Sequence, residues 1–265
     1  MGTVSRRQIT QAAAMVGVGG FAVGRFAGAL AQDGTPGAEA TPVADVVPVG
    51  YASLRVRELA DADLRAEVNE IVRTDFLPTV QALPGYAGYL LGDVIDEGGQ
   101  SLSVVAVEEA DQIVGFNEAA QAFVGGLDPK FAVETPVSAE GDVLIAGAPV
   151  ASGATPVVDG EVPGGYVAVR IHTSKPGTDP HDFAALAKSD FLPIVQGLPG
   201  FQGYLWFPSE GGFTAVSLFA SEESATESTA AAADWAAEYL TEYTDGNPLV
   251  INATVVLADL PILRG

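Results

Sequence analysis

Cysteine is missing altogether from the 265 residues. That removes disulfides, a thiol nucleophile, thiolate metal ligands and a lipid-bearing lipobox cysteine, so packing alone must hold the fold. Cations are scarce as well: 12 Lys and Arg stand against 34 Asp and Glu, a net charge of −22. A phosphate-backbone binder needs clustered cations to displace counterions, which speaks against nucleic acid as a partner. The same negative field repels polyanions and anionic membranes and favours solubility. Histidine occurs twice, at His172 and His181. No set of three or four ligands falls at zinc spacing, so no metal is expected. No glycine-rich phosphate loop leads from a strand into a helix, since Gly98-Gly99 and Gly211-Gly212 read as hairpin turns, and no Ser-His-Asp order stands out.

What the chain does have is a repeat. DFLPTVQALPGYAGYLL, from Asp75, returns as DFLPIVQGLPGFQGYLW, from Asp190, an offset of 115 residues. Without a gap the correspondence extends back to Tyr51/Tyr166 and Arg55/Arg170, and 14 of the 40 positions from Tyr51 to Leu90 are identical. With 48% hydrophobic residues, two units of about 100 residues can each bury a core. The expected organisation is a leader over 1–31, a tether over 32–48, a first module over 49–147, a linker over 148–163 and a second module over 164–261.

The leader carries Ser5-Arg6-Arg7-Gln8-Ile9-Thr10, then the weakly apolar AAAMVGVGGFAVG, then Ala29-Leu30-Ala31. It resembles a twin-arginine (Tat) export signal, which implies a folded protein delivered outside the cytoplasm. Arg25 interrupts the run short of the roughly 20 apolar residues a spanning helix requires, so no membrane span is expected in the mature chain. Residues 32–48 are rich in Pro, Gly, Ala and Thr with no period, as a tether would be.

Each module reads as β-α-β-β-α-β. The first strands alternate, with Ala52, Leu54 and Val56 opposing Tyr51, Ser53 and Arg55, and Val167, Val169 and Ile171 opposing Tyr166, Ala168, Arg170 and His172. Helices follow over about 61–83 and 179–198. Asp75 and Asp190 are expected to cap a restarted helix that places Pro78 and Pro193 in its first turn. Leu-Pro-Gly then stops the helix, a hairpin follows, and second helices run over about 109–124 and 222–243, the latter capped by Ser221. Final strands are expected from Val143 and Val250. This order is the ferredoxin-like split βαβ pattern, so the fold class is α+β, with two tandem modules covering each other's open sheet face in an intramolecular α+β barrel.

The helix ending in LPTVQALPGYAGYLL, with the hairpin, second helix and last strand, resembles the dimeric α+β barrel superfamily over nearly all of residues 50–260, and within it the antibiotic-biosynthesis monooxygenase-like group. The resemblance implies that internal pairing of modules replaces a homodimer. Members include cofactor-free monooxygenases acting on polyketide-type aromatics, haem-degrading and haem-dependent enzymes, and proteins without known activity. Haem-degrading members use a His on the second helix and an Asn on the first strand. Here the second helices hold no His, and Ser53 or Ala168 stands at the strand position, so no cofactor is expected.

The polar strand faces are the candidate site, expected to look into the space between the sheets, because a cavity lined by aromatics with a few convergent polar groups suits a ligand. Tyr166, Arg170 and His172 would orient and polarise a phenolic or enolic oxygen. Trp206 and Trp235 would stack on a ring, with Tyr51, Arg55, Tyr204 and Asn252 lining the ligand. The leading reading is an exported barrel that binds a small apolar or aromatic molecule, with cofactor-independent oxygenation as the implied chemistry. The alternatives are a non-catalytic duplicated barrel filled by its own side chains, and a haem-binding protein with His172 as axial ligand.

Overall fold

Alternating aliphatic residues in the first strand of each half make a sheet with two unlike faces, and how those faces are used positions the candidate site. The computed structural model describes residues 49–95, 99–131, 133–147 and 165–260. The leader, the tether, Gly98 and the interdomain linker lie outside the described residues. In chain order the elements are β1 (Tyr51–Leu59), α1 (residues 62–81), β2 (Tyr86–Val94), β3 (Gln100–Val107), α2 (Ile113–Gly126), β4 (Val133–Asp142) and β5 (Ile145–Gly147). Then come β6 (Tyr166–Thr173), α3 (residues 181–196), β7 (Phe201–Ser209), β8 (Gly212–Phe219), α4 (Glu222–Tyr239) and β9 (Leu249–Asp259). Among the described residues no helix is long and apolar enough to cross a membrane.

All strands join one antiparallel sheet in the order β4-β1-β3-β2-β9-β6-β8-β7-β5. The two ends of that order are one stretch of chain. Val143 N–H donates to Gly50 O at 2.9 Å, and the next residue, Leu144, donates to Trp206 O at 3.1 Å. The strand that begins as a partner of β1 therefore finishes as a partner of β7, and the sheet closes on itself. At the opposite seam β9 pairs with β6 on one side and with β2 on the other. Closure leaves neither seam as an open edge.

The strand expected from Val143 is present as β5, and a further strand, β4, precedes it from Val133. VETPVSAEGD is polar, mostly exposed and contains Pro136, all of which weaken a strand pattern. Pro136 lies where the register against β1 shifts between Val56 and Glu58, so the bulge absorbs the residue that cannot donate to the ladder.

The proline of each Leu-Pro pair is accommodated without a break. Asp75 and Asp190 cap nothing, because both sit within continuous helix. In α1, residues 72–76 form a π-turn closed by Leu77 N–H on Val72 O, five residues back. In α3 the matching bond runs from Leu192 N–H to Ala187 O. The wider turn steps past the carbonyl that a proline ring would strike, so Pro78 and Pro193 follow with no donor missed. The Ser221 cap is formed as expected, with its side chain accepting from Ser224 N–H.

The strand faces are used in the opposite sense from that expected. Ala52, Leu54 and Val56 meet Val167, Val169, Leu205, Val216, Leu218 and Ile251 in one aliphatic cluster inside the closed sheet. Tyr51 and Tyr166 instead pack into the two layers between sheet and helices. The interior of a closed sheet offers no polar partner, so it takes the face with no polar atoms. Longer side chains go outward, where helix hydroxyls and amides can meet their ends. A space of about 20 Å³ lies beside Leu90, Val104, Leu205 and Val216.

Candidate functional site

Between the sheet and helices α1 and α2 of the first half lies a cavity of about 40 Å³. Its polar side is Arg57, Asn69 and Ser101, and its apolar side includes Val72, Phe76 and Phe123. Val72 and Phe76 are the two ends of the π-turn, so the local device that admits Pro78 also shapes the wall.

Behind that surface runs a connected polar set. Arg57 NH1 donates to Ser103 Oγ at 2.6 Å, and the Tyr89 hydroxyl also bonds Ser103. Burial pushes the Tyr89 hydroxyl up to about 12, only partly offset by Arg57 and Arg55, so it stays protonated at any working pH. Burial lowers the Arg57 guanidinium from its ordinary value, partly offset by Tyr89, with Arg55 adding a smaller lowering. Arg55 NH2 donates to Asn117 Oδ1 on α2 at 2.5 Å. Asn69 donates to Asp93 Oδ1 at 3.0 Å, with Arg65 at 3.9 Å from the same oxygen.

The equivalent space in the second half is filled. Arg57 lies opposite Ser101 in the β1–β3 pairing, and His172 lies opposite Phe213 in the β6–β8 pairing. Adding the 115-residue offset also sets Val68 against Phe183 and Leu91 against Trp206. Four lining positions of the cavity thus become His172, Phe183, Trp206 and Phe213. Their rings interlock: His172 stacks on Phe213 at 4.4 Å, Phe183 meets Phe213 at 5.1 Å and Trp206 at 5.8 Å, and Trp206 meets Phe213 at 5.1 Å. The second half carries its own plug.

The residues expected to act are therefore placed differently from the expectation. Tyr166, Arg170, His172, Tyr204, Trp206 and Trp235 do share one layer, but it is the packed helix–sheet layer and not a space between sheets. Arg170 is 2% exposed and bonded to Ser217 at 3.1 Å, Ser228 at 2.7 Å and Thr229 at 3.1 Å, all neutral. Burial lowers its pKa to about 10, and its Nε has no partner. The Tyr204 hydroxyl is also buried without a partner, because Ser103, which serves Tyr89, is replaced by Ala215 in the equivalent strand register. Trp235 packs on Phe191 at 5.2 Å and Tyr239 at 5.5 Å. Asn252, paired with Ala168, is exposed. Tyr51 and Arg55 stand in the first half, away from that layer.

His172 is a core residue whose ionisation the fold resists. Burial, with a smaller contribution from Arg170, lowers its pKa from 6.5 to about 4. Between those values the unfolded chain takes up a proton that the folded chain refuses. The contribution is complete above pH 6.5 and is lost as pH falls toward 4, amounting to about 3 kcal/mol by linkage. Denaturant titrations over this range are expected to show a shallower pH dependence for His172→Phe, which keeps the stacked ring, than for the parent chain. Equal slopes would show that His172 does not carry the effect.

Arg57, Asn69, Tyr89 and Ser101 were not singled out by the sequence reading. Divergence between the copies could have pointed to Arg57 and Ser101, which stand where the second half has His172 and Phe213, but not to Tyr89, which Tyr204 repeats.

No protein-family model and no curated protein sequence matches the chain. Solved structures do match in fold. A candidate monooxygenase from Fusobacterium nucleatum is 13% identical, covers 80% of this chain and 95% of its own, and superposes with a TM-score of 0.62. An anthrone oxidase-like protein is 16% identical, covers 79% and 93%, and gives 0.53. A candidate chlorite dismutase is 12% identical, covers 82% and 98%, and gives 0.54. At these identities the likeness is one of fold: an α+β structure with a large antiparallel sheet, of the ferredoxin-like, dimeric α+β barrel type.

Proposed function

We propose that the chain is a tandem duplication of a ferredoxin-like βαββαβ unit, in which the first half binds a small, largely apolar molecule and the second is a closed, structural copy. The observation that carries the reading is the contrast at equivalent positions: Val68, Leu91 and Ser101 line a cavity where Phe183, Trp206 and Phe213 interlock as rings. Under this reading each half covers what a second copy of the chain would otherwise cover. A cavity of about 40 Å³ falls well short of the few hundred Å³ that a drug-sized ligand occupies, so the ligand has few heavy atoms or inserts one end.

Chemistry at the cavity follows from what its groups can do. Arg57 and a protonated Tyr89 supply positive charge and a donor, which can stabilise oxygen-centred negative charge on an enol or phenol. Neither is a general base. The oxygenase and oxidase names carried by the fold neighbours therefore support cofactor-free oxygenation as a second reading, favoured by this donor pair, with molecular oxygen as oxidant. Haem does not fit the described residues. A haem iron needs an axial side chain, but His172 is stacked within the core and His181 is exposed with Nδ1 2.7 Å from Asp179, and the cavity has no room for a macrocycle. Export by the twin-arginine route is part of the proposal, supported by residues 1–31 and by a cysteine-free chain that depends on no oxidative folding.

Indole, a neutral ring, tests the site. In amide NMR titrations the shifts are expected among residues 68–76 and 120–127, with none around Phe183, Trp206 or Phe213. Shifts centred on the second half, or scattered over the surface, would defeat the reading.

A further inference from the structure

Arg55 and Arg57 project from the same side of β1, two residues apart, and each is bonded to a neutral group, Asn117 for one and Ser103 for the other. Among the described residues no carboxylate comes within ion-pair distance of either guanidinium. Glu140 on β4 acts on Arg55 only at longer range. Burying like charges without a counterion is costly, and the usual remedy is a paired carboxylate. Among the described residues no acidic side chain is set beside Arg57.

Arg57 lines the cavity. Arg57 spends NH1 on Ser103. Among the described residues its Nε–H and NH2 have no hydrogen-bond partner, and neither is sealed away as a buried orphan, unlike the Nε of Arg170. That free edge is the one a carboxylate engages with two parallel hydrogen bonds. In the second half the position of Arg57 is His172, within the plug, and the cation that remains there, Arg170, is the counterpart of Arg55 and is enclosed by Ser217, Ser228 and Thr229.

We propose that Arg57 anchors the carboxylate of a short monocarboxylic acid whose apolar tail lies against Val72, Phe76 and Phe123. This deepens the binding reading above and rests on it. The enclosed space is small, so a short alkyl tail is enough to fill it. Tyr89, bonded to Ser103, holds the acceptor hydroxyl in place and leaves the guanidinium edge free for the ligand.

The test is a pair of isosteres at constant ionic strength and pH 7, butyrate and butyramide, titrated calorimetrically against the full chain. Butyrate is expected to bind about tenfold or more tightly than butyramide, as a bidentate charged pair replaces a neutral contact. Arg57→Met is expected to abolish the preference, and Arg57→Gln serves the same purpose should the first variant fold poorly. Equal binding of the two isosteres would overturn the proposal, as would a preference that survives loss of the guanidinium. If indole still maps to the cavity in that case, only the carboxylate assignment fails. If indole also fails to bind, the cavity reading itself is wrong.

Discussion

Replacing Gly141 with Ala is expected to cost about 3 kcal/mol or more, because the new methyl would fall on backbone and not on a side chain that can turn away. A Cβ at this position would lie 1.8 Å from Pro208 O and 2.9 Å from Pro208 C, on the neighbouring β7. Strands β4 and β7 would have to part at the seam where the sheet closes. Leu144 N–H would then be drawn from Trp206 O, and the Ile145–Trp206 pairing beyond it would weaken. The opposite seam shows how the two halves divide the same constraint. There Gly92 on β2 faces Ala253 on β9, and a Cβ on Gly92 would lie 3.1 Å from the Ala253 methyl. Offset by 115 residues, Gly92 corresponds to Phe207, so each seam keeps a glycine, on opposite partners. Denaturant unfolding with hydrogen exchange at Leu144 and Ile145 reads both parts of the prediction. Gly125→Ala on α2, with nothing within 4 Å of the added carbon, is the control and is expected to change stability little or favourably. A Gly141→Ala protein as stable as that control would mean the closure is not tight.

The repeat made the architecture legible from residues alone. Once DFLPTVQALPGYAGYLL is seen twice, the order of strands and helices follows from period and turn signals, and Ser221 even shows its cap. Three features escaped for physical reasons. The β4 strand is polar, exposed and interrupted by Pro136, so local propensity hides what pairing with β1 imposes. Asp75 and Asp190 resemble caps because a proline normally signals a break, and a π-turn removes the need for one. The faces of β1 and β6 show an aliphatic side and a polar side but not which one turns inward. That choice is made by closure, which puts Val169 and Leu54 into one core drawn from both halves.

The candidate site was legible only in part. Arg170, His172, Trp206 and Trp235 stand out in the sequence as rare and chemically capable residues. Those same aromatics are what fill the second half. Arg57 was masked by its unlike counterpart, His172, although unlike residues at matched positions are what separate an open layer from a plugged one.

Exchanging the plug tests the account at its centre. Val68→Phe, Leu91→Trp and Ser101→Phe together would give the first half the three rings that interlock in the second, on strands and a helix of matching register. Burial of three rings should hold the fold, and filling a cavity that a ligand must occupy leaves nowhere for it to bind. Ser101→Phe alone is the fallback should the triple variant prove overpacked. The measurement is the indole titration of the folded triple variant beside the parent. The account predicts shifts among residues 68–76 in the parent and none there in the variant, with cooperative unfolding retained by both. Unchanged indole binding by a folded triple variant would contradict it.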